Sequence, residues 1–241
     1  MAQVIQNQSG NFPGGSYEIM HRDTNTILIN ANPGSMISIT EGTQIDGSFH
    51  FSFKNVFTGD QVAFLHLGGN GQAILSNHGL GDTIVLNVSP QYSPWVVNRH
   101  AFLCMTDNVK RESKAQSMGK AFGSGQGLWV HGYTGEGLLF LETFGAILFK
   151  DLQPVCRCLF NTTLVRGETY LIHHHFVVAW NSGYAVQPIQ TSKGGFGGFV
   201  QKLATGDFWM CKFTGPGRVY FQSKSAAVFG EWIAPYIPQG N

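Results

Sequence analysis

The residues best suited to chemistry are three consecutive histidines, His173, His174 and His175. Imidazole nitrogens bind zinc, copper, nickel or iron, and a His-x-His pair on a strand can hold two positions of such a site. Strand alternation puts His173 and His175 on one face and His174 on the other. A site also needs a third and a fourth ligand. No glutamate follows at suitable spacing, and Phe176-Val177-Val178-Ala179-Trp180 is wholly apolar. His100 holds the matching place in an earlier, similar segment. The expectation is a structural role at a strand entrance, with no metal and no cofactor.

Lys110, Arg111, Lys114 and Lys120 concentrate positive charge, with only Glu112 opposing it. They are the candidate anion- or partner-binding residues, able to hold a phosphate, an anionic lipid or an acidic protein. Aromatic residues are absent from the stretch until Phe122, so stacking on nucleic-acid bases has little support. Cys156-x-Cys158 would face one side of a strand. The chain has no Cys-x-x-Cys, and all four cysteines sit in apolar runs, as reduced buried thiols do. Asp, Ser and His residues occur throughout, but none sits in a nucleophile-elbow context. No catalytic residue is expected, and the chain reads as a non-enzyme.

Glycine pairs punctuate the chain at Gly69 and Gly71, Gly135 and Gly137, and Gly215 and Gly217. A phosphate-binding loop needs a strand before it and a helix after it. Here apolar, alternating runs stand on both sides, so these are structural turns between strands. A second set of segments tests the register. Ala31–Ile39 matches Val97–Met105 across the same interval that separates Gly71 from Gly137. Val97–Met105 in turn matches Ile172–Trp180, across a slightly shorter interval than that from Gly137 to Gly217. The difference is a short insertion, for which the cluster Gly194, Gly195, Gly197 and Gly198 is a natural home. Self-similarity at two separated segments marks a repeat. The chain divides into a flexible arm, 1–16, and three β units, 17–80, 81–153 and 154–241, the last with an apolar tail, Trp232 to Pro238. Short strand-like runs separated by turn signals predict an all-β fold, with a strand even at Ala226–Phe229.

Composition agrees. Glycine, 31 of 241 residues, is about twice its average use, and charged residues, 12%, are about half theirs. A net charge of +1 gives no reason to expect nucleic acid as a partner. No run approaches the roughly 18 apolar residues of a membrane span. The first fifteen residues show neither a signal-peptide core nor a basic amphipathic leader, which predicts a cytoplasmic protein.

The run Gly206-Asp207-Phe208-Trp209, followed by Phe213-Thr214-Gly215-Pro216-Gly217-Arg218-Val219-Tyr220-Phe221-Gln222-Ser223, resembles the C-terminal signature of the Altered Inheritance of Mitochondria 24 family. Pro33-Gly34-Ser35-Met36-Ile37, Gly125-Gln126-Gly127-Leu128 and the Trp232 to Pro238 tail resemble it too, so that the likeness covers about residues 17–238. It implies a fold like that of the tryptophan RNA-binding attenuation protein: three tandem short double-stranded β-helix (jelly-roll-like) repeats per chain. It also implies a homotrimer built as a ring with approximate ninefold symmetry, an oligomeric scaffold with no established catalysis, and a mitochondrial location as the alternative to the cytoplasm. The family often has a Gly-His pair where His175-Phe176 stands here, so no role passes to that histidine. A protein or membrane-associated partner fits this reading. Two other classes remain as alternatives: a ligand- or RNA-binding ring, and a cupin-like metal enzyme using His173 and His175.

Overall fold

The computed structural model describes residues 9–12, 15–20, 24–26, 35–49, 63–69, 72–78, 80–91, 94–112, 130–153, 168–188 and 209–237. The first strands are β1 (Ser9–Phe12), β2 (Gly15–Met20), β3 (Thr24–Thr26), β4 (Met36–Ile39), β5 (Thr43–Phe49), β6 (Ala63–Gly69) and β7 (Ala73–Leu75). Next come β8 (Thr83–Val88), β9 (Trp95–Asn98), β10 (Phe102–Met105), β11 (Val109–Glu112), β12 (Val130–Gly135), β13 (Gly137–Glu142) and β14 (Ile147–Leu152). The last are β15 (Thr169–His173), β16 (Val177–Trp180), β17 (Gly183–Pro188), β18 (Trp209–Thr214) and β19 (Gly217–Gln222), followed by one helix, α1 (Ala226–Ile233). Among the described residues the protein is all-β apart from this helix and short 3-10 turns.

Among the described residues five sheets result, with orders β1-β2-β3-β7-β4, β10-β13-β8, β11-β12-β9-β16-β19-β14, β15-β18-β17 and β5-β6. Pairings between these strands are antiparallel; Gly81 and Gly145 form one isolated parallel bridge. Residues 139 to 142 of β13 are buried on both faces: Leu139 and Leu141 join one core cluster, Phe140 another. The same holds for β16, whose Val178 and Ala179 enter the first cluster and Val177 and Trp180 a third. Strands with two dry faces read as unbroken apolar runs. That is why the chain is poor in charge. A large apolar side chain buried as fully as Phe140 contributes about 1.5–3 kcal/mol over an exposed one. Trp180 packs edge-on against Tyr184 and Phe213, at ring-centroid distances of 4.7 and 5.4 Å.

One contact pattern occurs in three places. The Thr106 N–H donates to the Leu138 carbonyl and the Leu138 N–H to Thr106 Oγ1, each at 3.0 Å. Thr40 and Gln72 exchange the same two bonds, at 2.9 and 2.8 Å, as do Asn181 and Arg218, at 3.1 and 2.7 Å. Each clasp closes the end of a strand pair: β4–β7, β10–β13 or β16–β19. Each of those pairs also carries a register shift just before the clasp, between Met36 and Ser38, Phe102 and Cys104, and Val177 and Ala179. Such a bulge leaves one residue unpaired and sharpens the twist.

Two glycines make the second clasp possible. Gly135 has φ +105°. A Cβ on it would stand 2.2 Å from the Asn108 carbonyl oxygen, and one on Gly137 would stand 2.1 Å from Thr106 Oγ1. The Gly215–Pro216 peptide is cis at the corresponding third turn. Gly69 ends β6, and Gly71 lies outside the described residues.

The strand expected at Ala226–Phe229 is a helix instead. Ser225 caps it, its hydroxyl accepting the Val228 N–H at 3.5 Å. Ala226 and Ala227 favour helix, and no described strand pairs with the segment. Phe229 touches Phe144 at 5.4 Å between ring centroids. Trp232 and Tyr236 remain 63% and 72% exposed.

Gly135→Ala is expected to destabilise the protein by about 2–4 kcal/mol, because the backbone conformation and the Asn108 carbonyl both exclude a methyl group. Gly47→Ala, on β5 with open space around it, should stay within about 0.5 kcal/mol of wild type in the same urea titration.

Candidate functional site

Strand β15 ends at His173, and a 3-10 turn over His174–Phe176 follows. The turn breaks the expected alternation and brings all three imidazoles together. Ring centroids lie 4.7 Å apart for His173 and His174, 5.2 Å for His173 and His175, and 3.9 Å for His174 and His175. One nitrogen from each lies within 4.8 Å of the others. His174 is buried, and the other two are half-buried. The corresponding corner of the preceding segment is Asn98-Arg99-His100, with a 3-10 turn over Arg99–Ala101. There the Asn98 side chain accepts the His100 N–H at 3.2 Å and donates to the Val177 carbonyl at 3.1 Å.

A cavity of about 560 Å³ opens beside that second corner. Arg99, His78, His100, His131, Glu142 and Gln222 supply its polar wall, and Phe102, Phe144, Val177 and Val178 its apolar wall. Glu142, at the end of β13, is 7% exposed. Its Oε2 accepts the His78 N–H at 2.6 Å and lies 3.3 Å from His78 Nδ1. Burial holds its carboxyl above the ordinary glutamate range, with the contacts from His78 acting against that. Arg99 Nε donates to His100 Nε2 at 3.0 Å, which leaves that nitrogen unprotonated. Desolvation and the Arg99 charge push the His100 pKa down. One guanidinium, three imidazoles and one carboxyl thus share the wall of one cavity. Glu142 and His78 are far apart in the chain and meet only in the fold. The one signal for them was a glutamate closing the apolar run Leu138–Leu141.

The basic residues do not converge as a patch in the described part of their stretch. Lys110 and Arg111 are successive residues of β11, opposite Thr134 and Tyr133, and so point to opposite faces. Lys114 and Lys120 lie outside the described residues, as do Cys156 and Cys158. Cys104 and Cys211 are buried free thiols. Burial pushes the Cys211 pKa up to about 12 and that of Cys104 up as well, which keeps both unreactive. Arg218, at the third turn, is committed to structure. It meets Asp151 with two nitrogens, one at 2.9 Å from Oδ2, and lies 4.6 Å over the Phe149 ring. No described helix is long and apolar enough to cross a membrane.

The fold and cavity define an all-β protein of clasped antiparallel strands. It belongs to the mitochondrial biogenesis AIM24 family, whose model matches residues 24–224. An uncharacterized protein of Streptococcus pyogenes serotype M6 is 27% identical over 174 residues, which is 72% of this chain. The match spans 62% of that relative's length. A crystal structure of another Streptococcus pyogenes protein has the same fold, with a TM-score of 0.63 at 20% identity over 89% of this chain and 93% of that one.

A carboxyl whose folded pKa is raised holds its proton more tightly in the folded state. Its contribution is complete below the ordinary value of 4.5 and is lost as pH rises through the raised value. Glu142→Gln should therefore match wild type near pH 4.5 and melt higher than wild type at pH 7, in melting curves followed by circular dichroism across that range. A variant that melts lower at pH 7 than at pH 4.5 by the same amount as wild type would contradict this.

Proposed function

We propose that the protein is a non-catalytic assembly module that closes head to tail into a homotrimeric ring. Each chain contributes three β units of one kind, in the manner of the tryptophan RNA-binding attenuation protein. The places of the clasps support the three units. Thr40, Thr106 and Asn181 directly follow the matched segments that end at Ile39, Met105 and Trp180. Their partners Gln72, Leu138 and Arg218 directly follow Gly71, Gly137 and Gly217. In this reading β8 and β14 are equivalent first strands, paired to β13 and β19 in turn, so the third unit begins before Ile147 and not at the expected residue 154.

The observation that carries the proposal is the junction of the last two units. There β16 pairs with β9, Ala179 opposite Val97 and Trp180 opposite Val96. The first unit's equivalent of β16 is β4, and the third unit's equivalent of β9 is β15. Both are outermost strands of their sheets among the described residues. Trp180 is fully buried at the internal junction, whereas its counterpart Ile39 is 39% exposed. Leu171, the counterpart of Val96, is 47% exposed. Open edges with apolar side chains need cover. Pairing β15 of one chain with β4 of the next supplies it, Leu171 opposite Ile39, and repeats the internal junction. A head-to-tail contact of this kind closes when its rotation permits, and three chains give nine similar wedges. The exposed aromatic side chains of α1 and the tail add interface material. The cavity beside Glu142 favours a second reading, a ring that also carries a small ligand.

Light scattering of the wild-type protein should give about three times the chain mass of 26.4 kDa. Leu171→Lys and Ile39→Lys should each shift the mass to that of one chain while circular dichroism stays unchanged. A wild-type mass of 26.4 kDa would reject the ring.

A further inference from the structure

We propose that His173, His174 and His175 form a binding site for a divalent transition-metal ion of the zinc class. The strand expectation had only two of these rings on one face. The turn supplies the third. With one nitrogen of each ring within 4.8 Å of the others, side-chain rotation of about 1 Å brings them to the separations that three nitrogens take around an ion bound at about 2.0–2.1 Å. An all-imidazole set suits zinc, copper, nickel or cobalt, and the cluster includes no carboxylate oxygen to favour magnesium or calcium.

The fold itself does not call for three histidines here. The equivalent corner has the same backbone, with φ −61° and ψ 133° at Asn98 against φ −63° and ψ 135° at His173. It is built from Asn-Arg-His and stabilised by the Asn98 amide. The position that carries a structural amide in one corner carries an imidazole in the other, and two more follow it. Pairing of β15 with β18, Tyr170 to Phe213 through His173 to Met210, fixes the incoming backbone, and buried Val177 fixes the outgoing one. The three donors are thus held on a short rigid corner, with the remaining coordination positions left to water or a further ligand. This proposal does not depend on the ring.

The test is a Co²⁺ titration of the tag-free protein, read by visible absorption, with Zn²⁺ as competitor. One Co²⁺ per chain should bind with a d–d band of four- or five-coordinate character, and Zn²⁺ should remove the band. His175→Gln and His173→Ala should each weaken binding by about hundredfold or more, as loss of one of three donors does. His100→Gln, at the equivalent corner, should leave it unchanged. Both half-buried positions are chosen so that the variants fold, with circular dichroism as the check. No band with wild type, or a band of equal strength in His175→Gln and His173→Ala, would overturn the proposal.

Discussion

The structure depends on a reciprocal clasp in which one residue after a strand binds the backbone of the partner strand twice. In Thr106 the backbone N–H and the hydroxyl hold the two polar groups of Leu138. A strand pair buried on both faces cannot fray to water at its end without leaving polar backbone groups unsatisfied, and each such group costs about 1–3 kcal/mol when buried. The clasp satisfies them with a short side chain. It also requires close approach, and so places glycine where a Cβ would collide with the clasping groups. The glycine pairs, the short polar residue after each apolar run and the bulge before it are parts of one local solution.

Much of this was legible in the sequence. The all-β class followed from short apolar runs between turn signals. The intervals between the glycine turns, and those between the matched apolar segments, are the spacings of the clasp residues themselves. Helix α1 was not legible as a helix, because Ala-Ala-Val-Phe reads equally as a short strand and only the Ser225 cap distinguishes the two. The alternation expected across His173, His174 and His175 fails for a similar reason. Alternation holds only while the strand lasts, and the strand ends at His173. The cavity was not legible either, since Glu142, His78 and Arg99 converge only after strands distant in sequence have paired.

Charge usage follows from the same architecture. With central strands such as β13 and β16 dry on both faces, most charged groups of the described residues lie at corners, edges and one cavity, although Lys212 sits on the middle strand β18. Arg218 and Asp151 pair at a turn, and Asp151 is held below the ordinary carboxylate range chiefly by that bond. Lys150 and Glu168 meet at 2.7 Å at the surface, an exposed pair of little consequence for stability. Glu142 is the exception, a carboxyl buried where a polar wall meets an apolar one.

The edge register is the most specific consequence of the account, and a disulfide tests it directly. If β15 of one chain repeats on β4 of the next what β9 does on β16, Ile172 stands opposite Ser38 of the neighbouring chain, as Val97 stands opposite Ala179. Facing residues of antiparallel strands have Cα atoms about 4.5–5.5 Å apart, within the span of a disulfide. In a Cys211→Ala background, needed because Cys211 faces position 172 across β15 and β18 of the same chain, a chain carrying Ser38→Cys and Ile172→Cys should form covalent dimers and trimers under mild oxidation, visible on a non-reducing gel, whereas Ser38→Cys with Tyr170→Cys should not. No covalent multimers from the first pair, or equal yields from both, would contradict the head-to-tail pairing.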